Sequence, residues 1–125
     1  MEIKFLKCEH CGKIVLVIND TKVPAMCCGK KMEEIIPGVV EASHEKHIPV
    51  YVVKDNKVEV NVGSVDHPMI EAHYIEWILL KTKFGSQFKK LEPNEEPKAL
   101  FAINEGDEVE AVYAYCNLHG LWVAR

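Results

Sequence analysis

The sequence predicts a mainly β protein in two parts: a small N-terminal module stapled by cysteines, then an antiparallel β-sandwich. Three observations carry that reading. Four of the five cysteines fall in the first 28 residues, as Cys8-Glu-His-Cys11 and Cys27-Cys28, where apolar runs are short (Ile14 to Ile18). A segment this poor in apolar residues needs a cross-link to hold a fold. From Val39 onward the pattern changes to short strands, with turn signals spaced by about 8 to 12 residues and no convincing helix, as a sandwich requires. Between the two patterns lies Ile36-Pro37-Gly38, where Pro and Gly punctuate the chain, so the expected domains are residues 1–37 and 38–125.

In the second domain, Val58, Val60 and Val62 alternate with Glu59, Asn61 and Gly63, the period of a half-buried strand. Asp55-Asn56 just before it reads as the turn of a hairpin whose first arm is Ile48 to Val53. Tyr74 to Phe84 is apolar at nearly every position, which suits a buried strand or a short helix; its β-branched and aromatic content and its neighbours favour strand. Ala99 to Ile103, Val109 to Cys116 and Leu121 to Ala124 are further strands of an expected set of about seven, with turns at Pro93-Asn94, at Asn104 to Asp107 and at His119-Gly120.

Composition excludes several function classes. Net charge is −4 and the 15 basic residues form no stripe interleaved with aromatics, so nucleic acid is not an expected partner. No stretch approaches the ~20 apolar residues of a membrane span, and Met1-Glu2-Ile3-Lys4 has no cationic region followed by an apolar one. A cytoplasmic protein without a membrane anchor is expected. Five cysteines in this arrangement make a poor disulfide framework but a good thiolate cage in a reducing compartment.

Cys8-x-x-Cys11 is a metal knuckle, because two intervening residues let both sulfurs turn toward one ion. Adjacent side chains diverge, so Cys27-Cys28 on the same ion implies a distorted tetrahedron. Zinc in these four sulfurs would be structural, and iron would be a one-electron centre. His10, inside the knuckle, reads as a surface residue because four thiolates already close the site.

A second constellation lies downstream. Cys116-Asn-Leu-His119 places a thiol and an imidazole three residues apart at the end of a strand, with His67 and His73 in a second cluster and His47 in a third. Each of these four histidines sits at a strand edge or in a loop, where side chains converge more easily than from mid-strand; His44 reads as an ordinary polar residue. Four imidazoles and one thiolate make five ligands and leave one octahedral position open. Copper takes fewer histidines and zinc is redox-silent, so ferrous iron fits best, with the sulfur pushing electron density onto it.

These residues resemble the desulfoferrodoxin family, the two-iron superoxide reductases of anaerobic microbes. The matching motifs are Cys8-Glu-His-Cys11 with Cys27-Cys28, Glu45-Lys46-His47-Ile-Pro49, Gly63-Ser-Val-Asp-His67-Pro-Met69, His73-Tyr-Ile-Glu-Trp77 and Cys116-Asn-Leu-His119-Gly120, in the family's order over almost the whole chain. The resemblance implies a desulforedoxin-like N-terminal domain with iron on Cys8, Cys11, Cys27 and Cys28, and an immunoglobulin-like sandwich with a second iron. It assigns His47, His67, His73 and His119 as equatorial ligands of that iron and Cys116 as the axial one. The implied reaction is one-electron reduction of superoxide to hydrogen peroxide without release of dioxygen. Lys46 would attract the anion and order water for protonation, and Glu45 would ligate the ferric iron once product has left. Rubredoxin or a similar small carrier as electron donor, and a homodimer, are implied as well. The rivals are a rubredoxin-like electron carrier without enzymatic activity, which leaves Cys116 and four loop histidines unexplained, and a zinc-stabilised binding module.

Overall fold

Val58, Val60 and Val62 are almost completely buried while Lys57 and Glu59 face solvent, so this strand presents one side to a core and the other to water. The computed structural model describes residues 3–125 of the chain and divides into two units, Met1–Ile36 and Pro37–Arg125.

The first unit is built from very short strands. β1 (Lys4–Lys7) pairs antiparallel with β2 (Ile14–Val17) on one side and with β5 (Glu33–Glu34) on the other, while β3 (Met26–Cys27) and β4 (Lys30–Lys31) form a separate two-stranded ribbon. Phe5 and Cys8 are its only buried core residues among those described. Burial on that scale cannot offset the entropy of ordering the segment, and the sulfurs must do the rest.

The second unit holds one turn of helix, α1 (His44–His47), and seven strands: β6 (Pro49–Lys54), β7 (Lys57–Val62), β8 (Ile75–Thr82), β9 (Ser86–Lys90), β10 (Lys98–Ala102), β11 (Val109–Cys116) and β12 (Gly120–Ala124). They form two antiparallel sheets, in the orders β10-β7-β6 and β12-β11-β8-β9. The inner faces meet over Val58, Val60, Val62, Ala99 and Phe101 from one sheet and Ile75, Ile78, Leu80, Val112, Ala114 and Cys116 from the other. This is an immunoglobulin-like sandwich.

Asp55 and Asn56 close the β6–β7 hairpin with φ of 52° and 59°, the doubly left-handed turn that matches strand twist. Tyr74 to Phe84 resolves as strand β8. The pairing with β11 shifts register between Tyr115 and Cys116, leaving Glu76 as an extra residue on β8, so Ile75 stays on the inner face with Ile78 and Leu80, while Leu79 is buried on the other face. The second unit also contains two elements that the sequence pattern does not suggest, α1 and the edge strand β9. All five residues of β9 are exposed, so it carries no alternation to read. No helix among the described residues is long and apolar enough to cross a membrane.

Candidate metal centres

In the first unit the Sγ atoms of Cys8, Cys11, Cys27 and Cys28 all lie within 4.8 Å of one another. The knuckle turn is closed by Gly12 N–H donating to Cys8 O at 2.8 Å, with Gly12 at φ 83°, and the amide of Cys11 points at Cys8 Sγ at 3.5 Å. That amide is the main reason the Cys8 thiol is held at about 6, favouring the thiolate. The adjacent pair solves its divergence through the backbone. Cys28 takes φ 50° and Gly29 φ 74°, which brings the Cys28 sulfur back to 4.0 Å from that of Cys27, itself 3.7 Å from Cys11 Sγ. Sulfurs held tetrahedrally about 2.3 Å from one ion are about 3.8 Å apart. Contact with Cys11 and Cys8 pushes the Cys28 thiol up to about 12, so without a cation the four thiols cannot all ionise together. All five cysteines are free, and His10 is exposed.

The second cluster sits at one end of the sandwich. His47, the last residue of α1, is buried, and its Nδ1–H donates to Ser43 O one turn back at 2.6 Å. His67 follows β7 in a loop and is also buried; its Nδ1–H donates to Pro68 O at 2.6 Å. Each ring therefore spends its one proton on a carbonyl and turns a bare Nε2 inward. These two Nε2 atoms are 3.1 Å apart. With no proton to share they repel, unless a cation lies between their lone pairs. Two nitrogens at right angles on an ion about 2.1 Å away are about 3.0 Å apart, so the spacing is that of neighbouring ligands.

The remaining donors surround the same point. His73 Nε2 is buried and has no hydrogen-bond partner among the described residues. Cys116, fully buried at the end of β11, brings its Sγ within 4.8 Å of the donor atoms of His47, His67 and His73. His119, in the turn between β11 and β12, faces His47 Nε2 through Nδ1 at 3.1 Å and Cys116 Sγ at 3.9 Å. Burial lowers the proton affinity of His67 to about 4 and also lowers those of His47 and His73, keeping the imidazoles in their neutral, ligating form. Burial pushes the Cys116 thiol up, and the amides of His119 and Leu118 oppose that shift. An unpartnered nitrogen, two facing lone pairs and a buried thiol fit a cation of borderline softness. The two donor sets, one of four sulfurs and one of imidazoles with a single sulfur, are consistent with two irons per chain.

Glu45 and Lys46 precede His47 on α1. Glu45 is exposed, and its carbonyl accepts Val65 N–H at 3.0 Å and Ser64 Oγ–H at 3.2 Å. Lys46 is half-buried and close enough for its charge to lower the proton affinity of His47 and His73. His44 stays outside the cluster with its ring 5.5 Å from that of Trp122. Sequence reasoning did not find Trp122. Its indole N–H donates to His119 O at 3.0 Å and its ring lies 5.1 Å from His47. A tryptophan three residues after a candidate ligand was the available signal.

The desulfoferrodoxin family model matches residues 39–125, the whole sandwich and its donor set. The chain belongs to the desulfoferrodoxin family. It is 46% identical to a desulfoferrodoxin homolog of Archaeoglobus fulgidus over 116 residues, covering 93% of this chain and 91% of that one. It is 43% identical to the desulfoferrodoxin of Nitratidesulfovibrio vulgaris over 124 residues, covering 99% and 97% of the two chains. Among solved structures, the superoxide reductase of Treponema pallidum superposes with a TM-score of 0.85 at 36% identity, over 100% of both chains. Likeness to these family members extends through the four-cysteine module as well as the sandwich.

Proposed function

We propose that this protein is a superoxide reductase, which converts superoxide to hydrogen peroxide by adding one electron and two protons. The observation that carries the reading is the convergence of four imidazole nitrogens and one buried sulfur on a single point, with His47 and His67 Nε2 3.1 Å apart and His73 Nε2 unpartnered. The name of its Treponema pallidum neighbour supports it. The residues that would hold the iron are His47, His67, His73, His119 and Cys116, and the ion supplies the electron. A thiolate among neutral imidazoles favours electron donation.

The polypeptide does the rest. Lys46 provides positive potential at the cluster, drawing in a small anion and ordering the water that delivers protons. Glu45, two residues before His47 on α1, is the carboxylate that would ligate the iron once product has left. Cys8, Cys11, Cys27 and Cys28 hold the other iron. Five free thiols suit a reducing compartment, which argues for the cytoplasm. We take the electron donor to be rubredoxin or a comparable carrier, and the working form to be a homodimer.

The test is a metal count followed by pulse radiolysis. Freshly purified protein should contain about two irons per chain, and the reduced form should consume superoxide in a fast second-order step with peroxide and no dioxygen as product. One chromophore and no such reaction would establish the electron-carrier reading instead. Zinc in both sites would leave only a binding module.

A further inference from the structure

His73 differs from His47 and His67 in how its ring is held. His47 and His67 are oriented by their own rings, through Ser43 O and Pro68 O, and the carbonyl of His119 is tied to the Trp122 indole. The His73 ring has no such bond among the described residues, and its Nε2 is bare and buried. It also lies outside any named strand, joined only to Ile70 by reciprocal backbone bonds of 3.0 Å. A ring with no anchor of its own can be aimed only by its backbone.

That backbone is gripped by Asn117, which stands between the two other residues of interest on the β11–β12 turn, Cys116 and His119. Asn117 Nδ2–H donates to Ala72 O at 3.0 Å, and Asn117 Oδ1 accepts Tyr74 N–H at 3.0 Å. Its main-chain N–H donates to Tyr74 O at 3.2 Å. The last rung of the β8–β11 ladder is Cys116 with Ile75, so the carboxamide prolongs that ladder beyond its end and closes on the peptides on both sides of His73. The task demands a donor and an acceptor on one short planar group, which asparagine has. Aspartate would present an oxygen to Ala72 O, and alanine would reach neither peptide.

We propose that Asn117 is a positioning residue for the imidazole centre, clamping His73 to the turn that carries Cys116 and His119 so that its Nε2 meets the same ion. The inference rests on the metal-centre reading above. Residues of this kind around metal ligands commonly govern affinity as well as orientation, with losses of about 10- to 100-fold on substitution.

The experiment is a double-mutant cycle on the metal-free full-length chain with Co2+ as the probe, using Asn117→Asp, Asn117→Ala, His73→Ala and the combinations. The four-cysteine site serves as an internal control. Either Asn117 substitution should weaken Co2+ binding at the imidazole centre by about 10- to 100-fold and leave the four-cysteine site unchanged. In the His73→Ala background it should weaken binding no further, and the Co2+ absorption spectrum of Asn117→Asp should converge on that of His73→Ala. Additive effects in the cycle, or an unaltered spectrum and affinity, would overturn the clamp alone. So would loss of binding matched by loss of the sandwich's circular dichroism in both variants, because Asn117 would then hold the fold and not the ligand. Co2+ binding by the unsubstituted chain at its cysteines only would overturn the metal-centre reading and the clamp with it.

Discussion

The Nε2 atoms of His47 and His67 face each other at 3.1 Å while both rings have committed their protons to backbone carbonyls. In the metal-free chain that arrangement resists protonation. Burial holds His67 at about 4 and lowers His47 as well. Unfolded histidine titrates near ~6.5, so between about 6.5 and about 4 the unfolded chain takes up protons that the folded chain refuses. Stability that is fully present above that window should therefore fall away as the pH drops through it. Urea midpoints of the metal-free protein should decline between pH 7 and pH 4.5, and less steeply for His67→Gln. Equal slopes would mean that the cluster is open to water.

Cys116→Ser exchanges a thiolate for a weaker oxygen donor at a fully buried position. The electron push should vanish together with the thiolate charge-transfer band of the oxidised protein, and turnover should collapse even where iron still binds. Near-normal turnover in this variant would remove Cys116 from the ligand set.

Lys46→Ile tests steering. The protein carries a net charge of −4 and the proposed substrate is an anion, so one well-placed ammonium matters more than its share of the total. Local fields of this kind raise association rates by about 10- to 1,000-fold, and partial exposure of the side chain favours the low end. The second-order rate should fall about tenfold, and its dependence on ionic strength should flatten. Pulse radiolysis at two salt concentrations reads both quantities, and an unchanged salt slope would leave Lys46 as a solvated helix residue.

Cys11→Ser should damage the four-cysteine module and spare the reaction of pre-reduced protein with superoxide, because the two donor sets share no residue. Loss of single-turnover reduction in this variant would place the sulfur-bound iron inside the chemistry.

Gly63→Ala reaches the site through packing. A Cβ there would lie 2.6 Å from Glu45 O and 2.7 Å from Ile48 O, the backbone of the helical turn that presents Lys46 and His47. Neither carbonyl can retreat without moving α1, so the substitution should cost about 1–3 kcal/mol and reduce affinity for metal at the imidazole centre. Urea unfolding and Co2+ titration check the two parts separately.

How far these features can be read from sequence depends on whether they are written in side-chain type or in backbone direction. The alternation of Val58, Val60 and Val62 and the Asp55-Asn56 turn are matters of residue type, and both appear where the pattern puts them. So are the donors themselves: the fold gathers Cys8, Cys11, Cys27 and Cys28 in one unit and His47, His67, His73, His119 and Cys116 in the other. Helix α1 is only four residues long, shorter than a helical period needs to show itself, and β9 is exposed throughout. The carbonyls of Ser43 and Pro68 that fix the tautomers belong to the main chain, which carries no letter. Likewise His119 presents Nδ1 where His47 and His67 present Nε2, a choice made by the turn and not by the residue.

The two donor sets differ greatly in how much chain lies inside them. The four sulfurs of the first unit all come from the short stretch between Cys8 and Cys28, whereas His47 and His119 are separated by 72 residues. Closing a short loop costs little entropy and can happen while the rest of the polypeptide is still being made; bringing His47 to His119 requires nearly the whole sandwich. During synthesis the cysteine module can thus capture its metal early, from whatever the cell then offers. The imidazole pocket is complete only when the β11–β12 hairpin has docked, so it can take a metal only on a folded sandwich rather than a nascent one.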